Sequence, residues 1–191
     1  MKKLEGNLYR AGETVNNYTE EEYEQLTPGA YICTITSVKD TPDKEYLQIE
    51  YDIAEGEHAG YYQRLSDRAQ FWGGRVNESY SKGNKTFSKF CKAINITNPG
   101  YIFNPYADGS NSDERSLIGR TIGVVLHERE YKSRDGKIKS RMDTYPWGLI
   151  SKEKALSGEF RSDLLEKVPY VEESSPEEQF LSIPDTGTPF N

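Results

Sequence analysis

A chain of 191 residues suits one domain with tails, and 35% apolar residues with a mean hydropathy of −0.82 leave part of it outside any core. Fourteen tyrosines and an aromatic share of 12% exclude a wholly disordered chain. The net charge of −7 weighs against a polyanionic partner until the charge is localised along the chain.

Residues 1–27 carry six acids against three bases and are expected to form a polar N-terminal extension. Within it, Thr19 and Glu22 stand at capping-box spacing, which predicts a short helix over 19–26. Pro28-Gly29 then punctuates the chain, and the β-branched run Tyr31–Val38 predicts a first strand. After a turn at Asp40–Asp43, Tyr46–Ile53 alternates, with Leu47, Ile49, Tyr51 and Ile53 on one face. That pattern is a half-buried strand, paired with the first as a hairpin.

A third strand is expected at Tyr61–Leu65, followed by a loop over 69–85. Thr86–Ile94 predicts a helix, because Phe87, Phe90, Cys91 and Ile94 fall at i, i+3, i+4 and i+7. A polar connector over 101–114 leads to a fourth strand at Thr121–Tyr131. Asp135-Gly136 predicts a two-residue turn into a fifth strand, Ile138–Tyr145, ended by Pro146. Residues 151–167 are weakly helical in pattern, and from Val168 onward Pro, Ser and Glu dominate.

Five strands with one helix between the third and fourth follow the element order of an OB-like barrel, so the fold class is mainly β with flexible acidic termini. The expected organisation is an extension over 1–27, the barrel over 28–156, and an acidic tail over 157–191 that is largely disordered from 168. No stretch approaches the ~18 apolar residues of a membrane span. The first residues lack the apolar stretch of a secretory signal, and two cysteines are too few for a disulfide framework. A cytoplasmic protein is expected.

Signals of catalysis are missing. Gly83-Asn84-Lys85-Thr86 lacks the Gly-Lys junction of a phosphate loop. His58 and His127 stand singly, Cys91 falls on the apolar helix face, and Glu50 and Asp52 share a solvated strand face. The sequence therefore points to no enzyme, no cofactor and no metal site.

Charge is more informative. Residues 60–92 hold seven bases against two acids, and residues 115–141 hold eight against three. Two basic segments are thus embedded in an acidic chain, where they either build an anion-binding face or pair with the acids of 28–59. With a two-residue turn at Asp135-Gly136, Arg134 faces Lys137, Lys132 faces Lys139, Tyr131 faces Ser140 and Glu130 faces Arg141. Like charges directly opposite repel, and a phosphate backbone would relieve them. Arg129, Tyr131, Lys132, Arg134, Lys137 and Lys139 are the leading candidates for single-stranded DNA. Tyr62, Arg64, Trp72 and Arg75 of the other basic segment stand behind them. Of the adjacent rings Phe71 and Trp72, one is expected to point inward and the other to stack on a base. The tail ends Pro189-Phe190-Asn191, an aromatic on an acidic tether that can anchor in a partner's basic-rimmed pocket.

These residues also carry a resemblance. The helix Phe87–Ile96, the run Leu117-Ile118-Gly119-Arg120-Thr121 and the hairpin ending at Tyr145 resemble small proteins from the replication and recombination modules of bacteriophages of Gram-positive bacteria. The opening Pro28-Gly29-Ala30-Tyr31 and the Glu55–Gly60 loop fit the same pattern, so the likeness covers about residues 28–147. It implies single-stranded-DNA binding in a phage or prophage setting, inside the bacterial host cell. The tail resembles that of bacterial single-stranded-DNA-binding proteins, which implies docking to phage or host recombination and replication proteins through Pro189 and Phe190. It departs in that Asn191 follows the phenylalanine and the acids are spread from Glu172 to Asp185. Two rival readings are a non-enzymatic adaptor of the same module and a nuclease whose carboxylates converge from separate strands.

Overall fold

The computed structural model describes residues 26–81, 85–106, 109 and 111–172. The helix expected over 19–26 and the tail residues Pro189 and Phe190 lie, apart from Leu26, outside the described residues.

The first hairpin forms as its alternation dictates. Strand β1 (Gly29–Thr41) runs antiparallel to β2 (Tyr46–Ile53), and β2 buries Leu47, Ile49, Tyr51 and Ile53. The third strand is not where the pattern places it. Tyr61–Ala69 is a helix, α1, because the Asp52 carboxylate on β2 accepts the N–H groups of Tyr62 at 2.8 Å and Gln63 at 3.3 Å. Gly60 enters that helix at φ 73°, a left-handed conformation that suits glycine. A capping carboxylate from a neighbouring strand thus replaces the usual N-cap side chain. The third strand is instead β3 (Arg75–Ser79), inside the expected loop, and it pairs with β2.

Helix α2 (Lys85–Thr97) follows and buries Phe87, Phe90, Cys91 and Ile94, the stripe its periodicity prescribes. Strands β4 (Thr121–Lys132) and β5 (Ile138–Ile150) form the second hairpin. β5 continues past Pro146. The register shifts between Val124 and Leu126, so residues 145–148 bulge opposite Val125, and a bulge tolerates a residue without an N–H. A short helix, α3 (Lys152–Ser157), and a 3-10 turn over Ser162–Leu165 then bring Leu164 into the core.

The strand order is β3-β2-β1-β4-β5, with antiparallel neighbours throughout. The fold is mainly β. The sheet curls until β3 and β5 approach, but no backbone ladder joins them, and the sheet is open. A chain of buried hydroxyls crosses the seam instead. The Thr144 hydroxyl on β5 donates to the Arg75 carbonyl on β3 at 3.3 Å, so it accepts from Tyr51 of β2, which in turn is bonded to the Tyr62 hydroxyl of α1. Tyr51 is fully buried and Tyr62 is 4% exposed. Burial raises the pKa of both phenols, so both stay neutral donors. Gly74 sits against this chain, where an added Cβ would stand 2.6 Å from the Tyr62 ring.

A segment beyond the 3-10 turn adds to β4. Glu130 N–H donates to the Val168 carbonyl and Val168 N–H to the Glu128 carbonyl, both at 2.9 Å, in a parallel bridge. Residues 168–172, read from sequence as the start of the tail, therefore lie along β4.

Among the described residues, Glu78 of β3 is the one carboxylate in the core, 2% exposed, with Oε1 unpartnered. Burial pushes its carboxyl up from 4.5 to about 7, against a hydrogen bond from Thr86.

Two outcomes are expected. Tyr51→Phe strands the Thr144 acceptor and the Tyr62 donor in the core and costs about 1–3 kcal/mol in urea unfolding. An unchanged midpoint contradicts the hydroxyl chain. For Glu78, the folded protein keeps a proton that the unfolded chain has released between pH 4.5 and about 7, so stability falls as pH rises through that window. Glu78→Gln removes a penalty on the order of 3 kcal/mol at pH 8 and flattens that part of the stability-against-pH curve. A curve parallel to that of the wild type contradicts it.

Candidate nucleic-acid interface

The seam between β3 and β5 opens outward into a groove of about 910 Å³. One wall is aromatic, made by Tyr61 of α1 and by Phe71 and Trp72 of the α1–β3 connection. The opposite wall is the stem of the β4–β5 hairpin, with Arg129 and Arg141. Arg75 of β3 stands on the floor edge. One cation of the first basic segment and two of the second therefore line the same groove, together with Glu128 and Asp143, whereas Tyr131, Lys132, Arg134, Lys137 and Lys139 do not line it.

The aromatic wall differs from the expected one in detail. Tyr62 cannot present its ring to a base, because the ring is buried edge-on against Tyr51 and Tyr61, with centroids 5.6 and 5.2 Å away. Trp72 is partly buried against the core, and its indole N–H donates to the Gly74 carbonyl at 3.1 Å. Phe71 is the free ring, 56% exposed. Of the adjacent pair, Phe71 is thus the outward ring and Trp72 the inward one. Arg64 lies on α1 with its guanidinium on the Ala59 carbonyl, and it does not line the groove.

The hairpin register is one residue off the expectation. Ser133 N–H donates to Lys137 O at 2.8 Å and Gly136 N–H to Ser133 O at 2.9 Å, so the loop holds three residues, with Gly136 at φ 80°. This is the type I turn followed by a left-handed glycine that three-residue hairpins use. Lys132 consequently faces Ile138, Tyr131 faces Lys139, Glu130 faces Ser140, and Arg129 faces Arg141. The like-charge pairs expected at the tip are replaced by one arginine pair in the stem. Asp143 relieves that pair, at 3.6 Å from Arg129 and 3.3 Å from Arg141. Arg141 also stands 5.5 Å from the centre of the Tyr131 ring, which covers one face of that ring.

The remaining candidates divide into held and free cations. Arg75 is held by Glu50 at 2.6 Å, and Lys132 by Glu172 at 2.9 Å. Arg134, Lys137 and Lys139 make no ion pair among the described residues and are all exposed. Two of the hairpin's acids share one cation from outside it. Lys167, on the added segment, contacts Glu128 at 3.0 Å and Glu130 at 2.8 Å. Ser140 and Lys167 together lower the Glu128 carboxyl, and Lys167 with the Tyr170 N–H lowers that of Glu130. Nothing in the local sequence pairs Lys167 with residues nearly forty positions earlier, so sequence reasoning missed it. His127, 3% exposed, packs edge-on against Tyr145 at 5.2 Å and takes no part in the groove.

Compared with known proteins, the chain matches no family model and no curated protein sequence.

Proposed function

We propose that the chain binds single-stranded DNA without regard to sequence, on an OB-like fold, in phage DNA replication or recombination. The strand order, the approach of β3 to β5 and the helix between β3 and β4 support the OB-like reading. The observation that carries the functional reading is the groove itself. An exposed Phe71 ring and two stem arginines line one groove, and Arg134, Lys137 and Lys139, exposed and without an ion pair among the described residues, stand outside its lining at the hairpin tip. Bases stack on Phe71, and phosphates meet Arg134, Lys137 and Lys139 with release of counterions. Arg129 and Arg141 exchange their shared Asp143 for phosphate.

Single-stranded DNA is the primary partner on this reading, with no cofactor and no chemistry on the DNA. Because Arg134, Lys137 and Lys139 are the candidate cations that make no ion pair among the described residues, the salt dependence is shallow. The slope of log affinity against log salt for oligo-dT is expected near −2, from roughly 0.7 per phosphate contact. Charge reversal of Arg134, Lys137 and Lys139 together flattens that slope towards zero in fluorescence anisotropy. Phe71→Ala weakens binding by about 1–3 kcal/mol with the slope kept. A slope and an affinity that neither change moves contradict the groove as the site.

A second reading, a non-enzymatic adaptor, is favoured by another groove in which Trp147 and Ile96 are 56% and 49% exposed. A mobility shift of a single-stranded oligonucleotide separates the two, since the adaptor leaves it unshifted.

A further inference from the structure

The second groove, of about 1000 Å³, lies between α2, the end of β5 and the segment holding α3 and the 3-10 turn. Its floor is apolar, made by Phe90, Ala93, Leu149 and Leu164, all buried, with the exposed Trp147 and Ile96 at its margin. Its rim is basic. Lys89 and Lys92 project from the solvent side of α2 and Lys154 from α3, and none makes an ion pair among the described residues. Arg161, the fourth cation, is held by Asp163. At one end Glu78, 2% exposed, lines the groove. An apolar floor bordered by three ammonium groups without an ion pair among the described residues, against one exposed carboxylate, Glu159, fits an acidic segment carrying large apolar side chains.

The chain contains one such segment. Residues 173–191 hold Glu173, Glu177, Glu178 and Asp185 and no lysine or arginine, together with Phe180, Leu181, Ile183 and Phe190. We propose that this C-terminal segment docks intramolecularly in the groove between α2 and β5, with Phe190 over Phe90 and Leu149 and its acids on Lys89, Lys92 and Lys154. Reach allows it. Glu172 sits at Lys132, at the far end of β4 from the groove, a distance of about 30 Å for nine strand residues. The eighteen residues from Glu172 to Phe190 extend to roughly 60 Å, whereas the eight to Phe180 barely cover the gap. Phe190 is therefore the anchor. The proposal is independent of DNA binding, because it uses none of the residues of the β3–β5 groove.

The test uses the full chain and its two tryptophans, one in each groove. Cys33 and Cys91 are 0% and 9% exposed, so a nitroxide label on Asn191→Cys reacts at the terminus. In the ¹⁵N-labelled protein, the label is expected to erase the Trp147 indole N–H signal and spare that of Trp72. Adding Lys92→Glu and Lys154→Glu restores the signal. In unlabelled protein, Phe190→Ala shifts the Trp147 signal without touching the folded body. A Trp147 signal that neither the label nor Phe190→Ala changes overturns the proposal. Loss at Trp72 instead places the segment on the DNA groove and overturns it too. Loss that appears only when labelled and spin-labelled copies are mixed assigns the docking to a second copy, which also contradicts the intramolecular form.

Discussion

Three buried hydroxyls hold the molecule's open seam together. In a closed barrel, backbone ladders would join the two edge strands. Here β3 and β5 are joined through Tyr62, Tyr51 and Thr144 to the Arg75 carbonyl. In a dry interior such bonds polarise one another, and each hydroxyl is satisfied only while its neighbours stay in place. The arrangement fixes α1 against the sheet, sets the width of the seam, and leaves the space above it as a groove. The aromatic wall and the arginine-bearing stem face each other because this chain stands between them.

The electrostatics follow from the same placement. An acidic protein can present a cationic surface only if its acids are occupied elsewhere or paired one for one. Asp143 serves two arginines, and Lys167 serves two glutamates of the hairpin. The six groups balance, so the stem itself carries no net charge, and the cationic surplus lies at the tip, where Arg134, Lys137 and Lys139 stand with Asp135. Exposed pairs of this kind are individually weak, so a polyanion can exchange into them at small cost. The surplus is modest, and the DNA reading carries that consequence: binding draws as much on stacking as on charge.

Much of the fold was legible in local periodicity. The alternation of Tyr46–Ile53 and the stripe Phe87, Phe90, Cys91, Ile94 dictate β2 and α2, since each depends only on neighbours within two turns or a few strand positions. The errors came where a distant group decides. Tyr61–Leu65 reads as a strand until Asp52, nine residues upstream, caps it as a helix. Asp135-Gly136 reads as a two-residue turn until the glycine takes the last place of a three-residue loop, which moves every cross-strand pair by one. Of the candidate residues, Arg129, Trp72 and Arg75 do gather in one groove, and Tyr62 lines it only from the core. Phe71 and Lys167 carry weight that no local pattern assigns, because exposure and ion pairing are settled by the tertiary fold.

Mapping a bound oligonucleotide on the ¹⁵N-labelled protein tests the central claim most directly. Titration with oligo-dT moves the resonances of Phe71, Trp72 and residues 129–141 and leaves the Trp147 indole unmoved. Shifts gathered around α2 and Trp147, or none at saturating oligonucleotide, contradict it.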